Sequence, residues 1–169
     1  MLCPDCGSKN IEGSESCASC GGSLVDDIPS SDVERGITSH SVNVLCPREA
    51  VCVQVETPVR DVVALMAQKN AGCVLVENGA DLVGVFSERD MLNKVSSDLD
   101  RLGHPVSEFM TPKPFTITKR DSIGYALQAM DVGGYRHLPV VNASGIAIGI
   151  LSVRDILRFL CIRYAKSRG

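Results

Sequence analysis

"GVFSERDML", residues 84–92, comes back as "GILSVRDIL" at 149–157, matching Gly84 to Gly149, Ser87 to Ser152, Arg89 to Arg154, Asp90 to Asp155 and Leu92 to Leu157. Self-similarity at a fixed offset marks a repeated structural unit, and the offset here is 65 residues. Upstream, "CVLVENGADLVG" lies over "LPVVNASGIAIG" without a gap, and Met66 lies over Met130 once one residue is allowed. The second half of the chain repeats the first.

Both copies read in one order. An extended piece ("AVCVQV", "PFTIT") precedes a helix whose apolar positions recur at helical spacing: Val59, Val62, Val63 and Met66 in one copy, Ile123, Ala126, Leu127 and Met130 in the other. Two short apolar runs split by a turn follow. A second helix is then opened by Ser87 or Ser152 as N-cap, with Asp90 or Asp155 in its first turn. The expected fold is α+β, a tandem of β-α-β-β-α units.

That order, with "YRHLPVVNASGIAIGILSVRDIL" in the second copy, resembles the CBS domain, and the tandem resembles the paired CBS module that senses nucleotides, over roughly residues 42–165. The first copy departs where "NAGCVLV" replaces "YRHLPVV". The resemblance implies an adenosine ligand, an adenine nucleotide or S-adenosylmethionine, held between the copies. It implies that Asp90 and Asp155 accept a ribose diol, that Ser87 and Ser152 offer hydroxyls and helix-start amides to phosphate, and that Arg89 and Arg154 supply opposing charge. Cys52 with Val53 and Gly72, Cys73 and Val74 would line one adenine slot. Thr116 with Ile117 and His137, Leu138 and Pro139 would line the other. Ser-x-x-Asp is also an ordinary helix cap, but capping does not require the Arg found in both copies. Arg136 and His137 stand where the first copy has Ala71 and Gly72. The expectation is that the cleft containing Asp155, with these extra cationic donors, binds anionic nucleotide better.

Ahead of the repeat, "CPDCGSKNIEGSESCASCGG" carries two Cys-x-x-Cys pairs, Cys3/Cys6 and Cys17/Cys20. Each tight turn directs two thiolates at one ion, and two turns complete a tetrahedral Zn²⁺ shell. Gly7, Gly21 and Gly22 follow the knuckles and let amides approach the sulfurs. A disulfide framework is disfavoured in a reducing cytosol, and neither pair opens a helix after a strand as a redox pair does. Iron also suits four thiolates. The segment resembles a zinc ribbon, with a closed, structural site.

The 169 residues, 44% hydrophobic and 22% charged, have a globular balance. No run approaches a membrane span and no signal sequence opens the chain, so a cytoplasmic protein is expected. Net charge is −3, and residues 1–40 set seven acids against Lys9 and Arg35, a poor match for nucleic acid. The expected layout is a ribbon at 1–24, a polar linker at 25–41 containing a solvated His40, and CBS units at 42–104 and 105–169. Cys46, Cys52, Cys73 and Cys161 sit among apolar residues and read as buried thiols; His104 reads as a loop residue. Phe159, Leu160, Ile162 and Tyr164 exceed what one sheet face needs, so a homodimer through the helices is expected. No nucleophile–base pair suggests an enzyme. These features point to a nucleotide-sensing regulator of an unidentified partner protein. The alternatives are a zinc-ribbon transcriptional or nucleic-acid regulator with the repeat as sensor, or a thiol oxidoreductase using the paired cysteines.

Overall fold

The computed structural model of the chain describes residues 8–11, 14, 16–20 and 40–166. Two compact units divide it, Met1–Arg35 and Gly36–Gly169. Cys17 and Cys20 are among the described residues of the first; Cys3, Cys6 and most of the expected linker lie outside them.

In the second unit, the first copy builds a four-stranded sheet ordered β1-β2-β3-β4, from Cys52–Gln54, Cys73–Asn78, Asp81–Ser87 and Thr111–Pro112. The second copy builds a three-stranded sheet ordered β5-β6-β7, from Ile117–Thr118, His137–Val141 and Ala147–Ser152. In each sheet the first strand runs parallel to the second, across a helical crossover, and the second pairs antiparallel with the third. The crossovers are α1 (Val59–Lys69) and α3 (Ile123–Gly133). Both bury the stripe expected from their periodicity: Val59, Val62 and Met66 on α1, Ile123, Ala126 and Met130 on α3. Ser122 caps α3 by accepting from the Tyr125 amide, and Gly134 ends it at φ 64°, a left-handed turn that costs glycine little.

The helix closing each copy differs. In copy two, α4 runs unbroken over Val153–Lys166. In copy one the expected long helix is a single α turn, α2 (Glu88–Asp90), continued as a π turn over Met91–Val95. That turn stacks Lys94 back over Asp90, with Nζ 2.7 Å from Oδ1.

The copies also trade the segments that lead into their first strands. Val42 packs in the copy-two core with Ile117, Leu138 and Ile156, while Val106 and Phe109 pack in the copy-one core with Phe86 and Val95. Arg48 and Ile150 exchange backbone hydrogen bonds of 3.2 and 2.9 Å, so residue 48 of copy one lies along β7 of copy two. Correspondingly, β4 lies along β3. This explains the matched glycines of the repeat. A Cβ on Gly149 would meet the Arg48 carbonyl at 2.9 Å, and one on Gly84 would meet the Met110 sulfur at 2.2 Å. Each glycine admits the segment crossing its strand.

Several expectations are corrected. Phe159 and Leu160 pack against the copy-two core instead of offering free surface; Ile162 is half exposed, and the Tyr164 side chain lies outside the described residues. Among the four scattered cysteines only Cys73 is buried, whereas Cys46, Cys52 and Cys161 are exposed. His40 is not a plain solvated side chain, since its ring lies 5.8 Å from that of Phe159. His104, by contrast, is the loop residue expected, standing after a 3-10 turn and pairing with Glu108 at 3.0 Å. Among the described residues, no helix is long and apolar enough to cross a membrane.

Candidate nucleotide clefts and the cysteine knuckle

The segment exchange creates two clefts, each combining the Ser-x-Arg-Asp turn of one copy with the strand entry of the other. One, of about 600 Å³, joins Ser87, Arg89 and Asp90 to Phe115, Arg136 and His137. The other, of about 470 Å³, joins Ser152, Arg154 and Asp155 to Arg48, Val51 and Cys73. Both are large enough for a drug-sized ligand.

Within each turn the serine and aspartate form a reciprocal cap. Ser87 Oγ accepts from the Asp90 amide (3.3 Å), while Ser87 N and Oγ donate to Asp90 Oδ2 at 3.0 and 2.6 Å. Ser152 and Asp155 repeat this at 3.0, 2.6 and 3.3 Å. The ordinary-cap reading is therefore correct as far as Oδ2 goes, and only Oδ1 is left to face other groups. Burial pushes both carboxyls upward, but the opposing contacts win and both end below the usual value of 3.8. For Asp90 these are the Lys94 ammonium and the Ser87 donors; for Asp155 they are the Ser152 donors and the Arg48 guanidinium. Both are ionised at neutral pH, as acceptance of a diol requires.

Of the expected site residues, Ser87, Arg89, Asp90, Gly72, His137 and Leu138 line the Asp90 cleft. Ser152, Arg154, Asp155 and Cys73 line the Asp155 cleft, which shares Gly72 and His137. The remaining six do not line either. Val53, Val74 and Ile117 point into the cores, Pro139 is buried, and Cys52 and Thr116 are exposed away from the clefts. The walls come instead from the residues just upstream, Val51 in one cleft and Pro114 with Phe115 in the other.

The charge asymmetry expected from Arg136 and His137 is not found, because both side chains line both clefts. Lysines and arginines exceed carboxylates by one in each. His137 is moreover not a cationic donor. Burial lowers its pKa below 6.5, overriding the upward pull of Glu88 and Asp155 and helped by Arg154 and Arg136. The ring packs over Gly72, where a Cβ would stand at van der Waals distance, 3.4 Å, from the imidazole. Burial similarly pushes the Cys73 thiol up to about 12 and the Cys52 thiol up to about 11, so neither is a nucleophile at neutral pH.

Three polar residues that reach the cleft aspartates, of which Arg48 and Thr111 line a cleft and Lys94 does not, carry no sequence expectation. Arg48 Nη2 donates to Asp155 Oδ1 at 2.9 Å, and Lys94 Nζ and Thr111 Oγ1 donate to Asp90 Oδ1 at 2.7 and 3.2 Å. The Pro47-Arg48 pair recurs at the repeat offset as Pro112-Lys113, a signal that could have found Arg48. The i,i+4 spacing of Asp90 and Lys94 could have found the other.

In the small unit, Cys17 is buried, and its sulfur accepts from the Ser19 amide and from Asn10 Nδ2, each at 3.4 Å. Asn10 Oδ1 in turn accepts from the Ala18 amide at 3.0 Å. N–H groups converging on a sulfur suit a thiolate ligand, so the described half of the cysteine set fits a metal knuckle. Among the described residues no group of three or more metal-ligating side chains occurs.

The family model that matches is the CBS domain, over residues 25–97 and 106–162. An uncharacterized 17.7 kDa protein of Acidianus ambivalens is 34% identical over 97 residues, 56% of this chain and 57% of that protein, so the chain spans little more than half of that relative. Among solved structures, a CBS domain protein from Pyrobaculum aerophilum complexed with AMP is 28% identical with a TM-score of 0.64, covering 75% of this chain and 98% of that one. CBSX2 in complex with AMP is also 28% identical, with a TM-score of 0.63 over 73% of this chain and 98% of that one.

Proposed function

The chain belongs to the CBS domain family, and we propose that it is a regulatory module that binds an adenine nucleotide, AMP being the first candidate, in the cleft containing Asp155. The observation that carries this is the Asp155 carboxylate, ionised, cap-positioned through Oδ2, and holding on Oδ1, among the described residues, only the guanidinium of Arg48, whose side chain is 62% exposed. Arg48 is the exposed partner of a half-buried pair, free to turn to solvent or to a phosphate as the ligand's hydroxyls take its place on Oδ1. The freed oxygen then accepts the ribose diol, and planar guanidinium suits phosphate as well as it suits carboxylate. Occupancy is thereby coupled to the segment carrying Arg48, which also lies along β7. The AMP complexes of two similar structures support the choice of ligand; S-adenosylmethionine is the other adenosine compound to compare.

The rest of the reading is a Zn²⁺ knuckle on Cys3, Cys6, Cys17 and Cys20 that serves partner contact, and a homodimer joined through helices of the CBS units. A ligand that binds only the folded chain adds about 2.7 kcal/mol at a hundredfold excess over Kd, enough to raise Tm by several degrees. AMP should do so in wild type. Asp155→Ala removes charge-assisted hydrogen bonds worth about 1.5–3 kcal/mol each and should abolish most of the rise. Equal rises in both proteins would overturn the assignment.

A further inference from the structure

The two Ser-x-x-Asp caps match residue for residue, yet their carboxylates are unequally satisfied. An ionised carboxylate offers about four acceptor positions. Asp90 fills all of them: Ser87 N and Oγ on Oδ2, Lys94 Nζ and Thr111 Oγ1 on Oδ1. Asp155 holds Ser152 N and Oγ on Oδ2 but, among the described residues, only Arg48 on Oδ1.

The two cations are also held differently. Arg48 reaches Asp155 from the distant end of the unit, 107 residues away in sequence, and is largely exposed. Lys94 sits one turn along the same helix as Asp90, and its ammonium donates to the Phe109 and Met110 carbonyls at 2.8 and 3.4 Å. The two carboxylate side chains are equally buried, at 12% and 13% exposed, so what separates the cations is that removing Lys94 also strands those two carbonyl acceptors. Arg48 is a displaceable cation and Lys94 an anchored one.

This difference is written in the repeat. At the offset of 65, Lys94 corresponds to Phe159, which packs against the copy-two core, and Arg48 corresponds to Lys113. Lys113 lies on the rim of the Asp90 cleft, and among the described residues no ion pair joins it to Asp90. In copy one the counterpart of Arg48 therefore does not pair with the aspartate, and Lys94, behind the cleft lining, does so instead. The net charge of the two clefts is the same, so charge does not separate them; acceptor saturation does.

We infer that Lys94, assisted by Thr111, closes the Asp90 cleft to ribose diols, so that the chain binds one nucleoside, at Asp155. Lys94 is then the specificity-determining residue of the module, and this inference rests on the nucleotide reading given above. Isothermal titration of the full chain with AMP tests it. Wild type should bind one AMP per chain and Asp155→Ala none, whereas Lys94→Met, which keeps length and apolar bulk but has no donor, should bind two. Lys94→Met combined with Asp155→Ala should retain one. Two AMP per wild-type chain, or one AMP surviving in Asp155→Ala, would overturn the inference while leaving nucleotide binding intact; these measurements stand even if Lys94→Met does not fold. No binding by wild type and Lys94→Met alike would remove the nucleotide reading and the inference together.

Discussion

His137 illustrates how position, not residue type, decides chemistry. Its sequence neighbours Arg136 and the apolar "LPVV" suggest a phosphate-binding cation, but the ring is wedged between the clefts against Gly72. There Glu88, Asp155, Arg154 and Arg136 face it and burial keeps it neutral. A histidine with a lowered folded pKa binds fewer protons folded than unfolded, so its stabilisation is complete above its ordinary 6.5 and declines as pH falls through the depressed value. Asp90 and Asp155 are also lowered, but their contributions hold down to about their ordinary 3.8 and fall only below it. The two windows are separate. Urea midpoints should therefore drop between pH 7.5 and 5, and the drop should flatten in His137→Gln, which cannot be protonated. An identical drop in the variant would assign the pH dependence elsewhere.

At the scale of elements, the strand and helix order was legible because periodicity and the repeat agreed, and the buried stripes of α1 and α3 are the ones the spacing marked. What was not legible depends on the exchange of segments between copies. Arg48 reaches Asp155 only because residues 47–48 lie along β7, and no local pattern states that. The slot residues were misplaced for the same reason: Val53 and Ile117 alternate into the cores, while the incoming segments upstream supply the cleft walls. The matched glycines were legible as a repeat but not as the gaps that admit those segments, and the gaps are not equally tight. Gly149 faces a backbone carbonyl that cannot move without unzipping its pairing with Ile150, whereas Gly84 faces a flexible methionine. Gly149→Ala should cost about 1–3 kcal/mol in urea denaturation as overpacking does. Gly84→Ala should cost less than about 1 kcal/mol, because the gain over glycine in a strand offsets part of the rearrangement. Equal costs would mean that the segment along β7 is loosely held.

For the whole molecule, the question is what the helix surfaces and the paired cysteines add to a unit that already folds around two cores. The helix surfaces keep large apolar groups in water: Val132 on α3 is 82% exposed, Leu157 and Ile162 on α4 are 53% and 50% exposed, and Tyr125 on α3 is 46% exposed. The apolar surplus read from Phe159 and Leu160 is consumed inside the unit, so the proposed dimer would have to use this different set. Exposed apolar groups of this size favour pairing with a symmetry mate where they lie together. In the small unit, Cys17, which accepts from Asn10 and the Ser19 amide, is one of the four thiols of the proposed Zn²⁺ set, Cys17 with Cys20 and Cys3 with Cys6, both pairs at Cys-x-x-Cys spacing. Native mass spectrometry on gently purified protein reads both features at once, and the expected species is two chains carrying two Zn²⁺. Val132→Asp with Leu157→Asp places charge in the proposed contact and should give one chain with one Zn²⁺, since the metal site lies on the other unit. A single-chain species for wild type at micromolar concentration would remove the dimer, and a metal-free mass would remove the knuckle; the two results are independent.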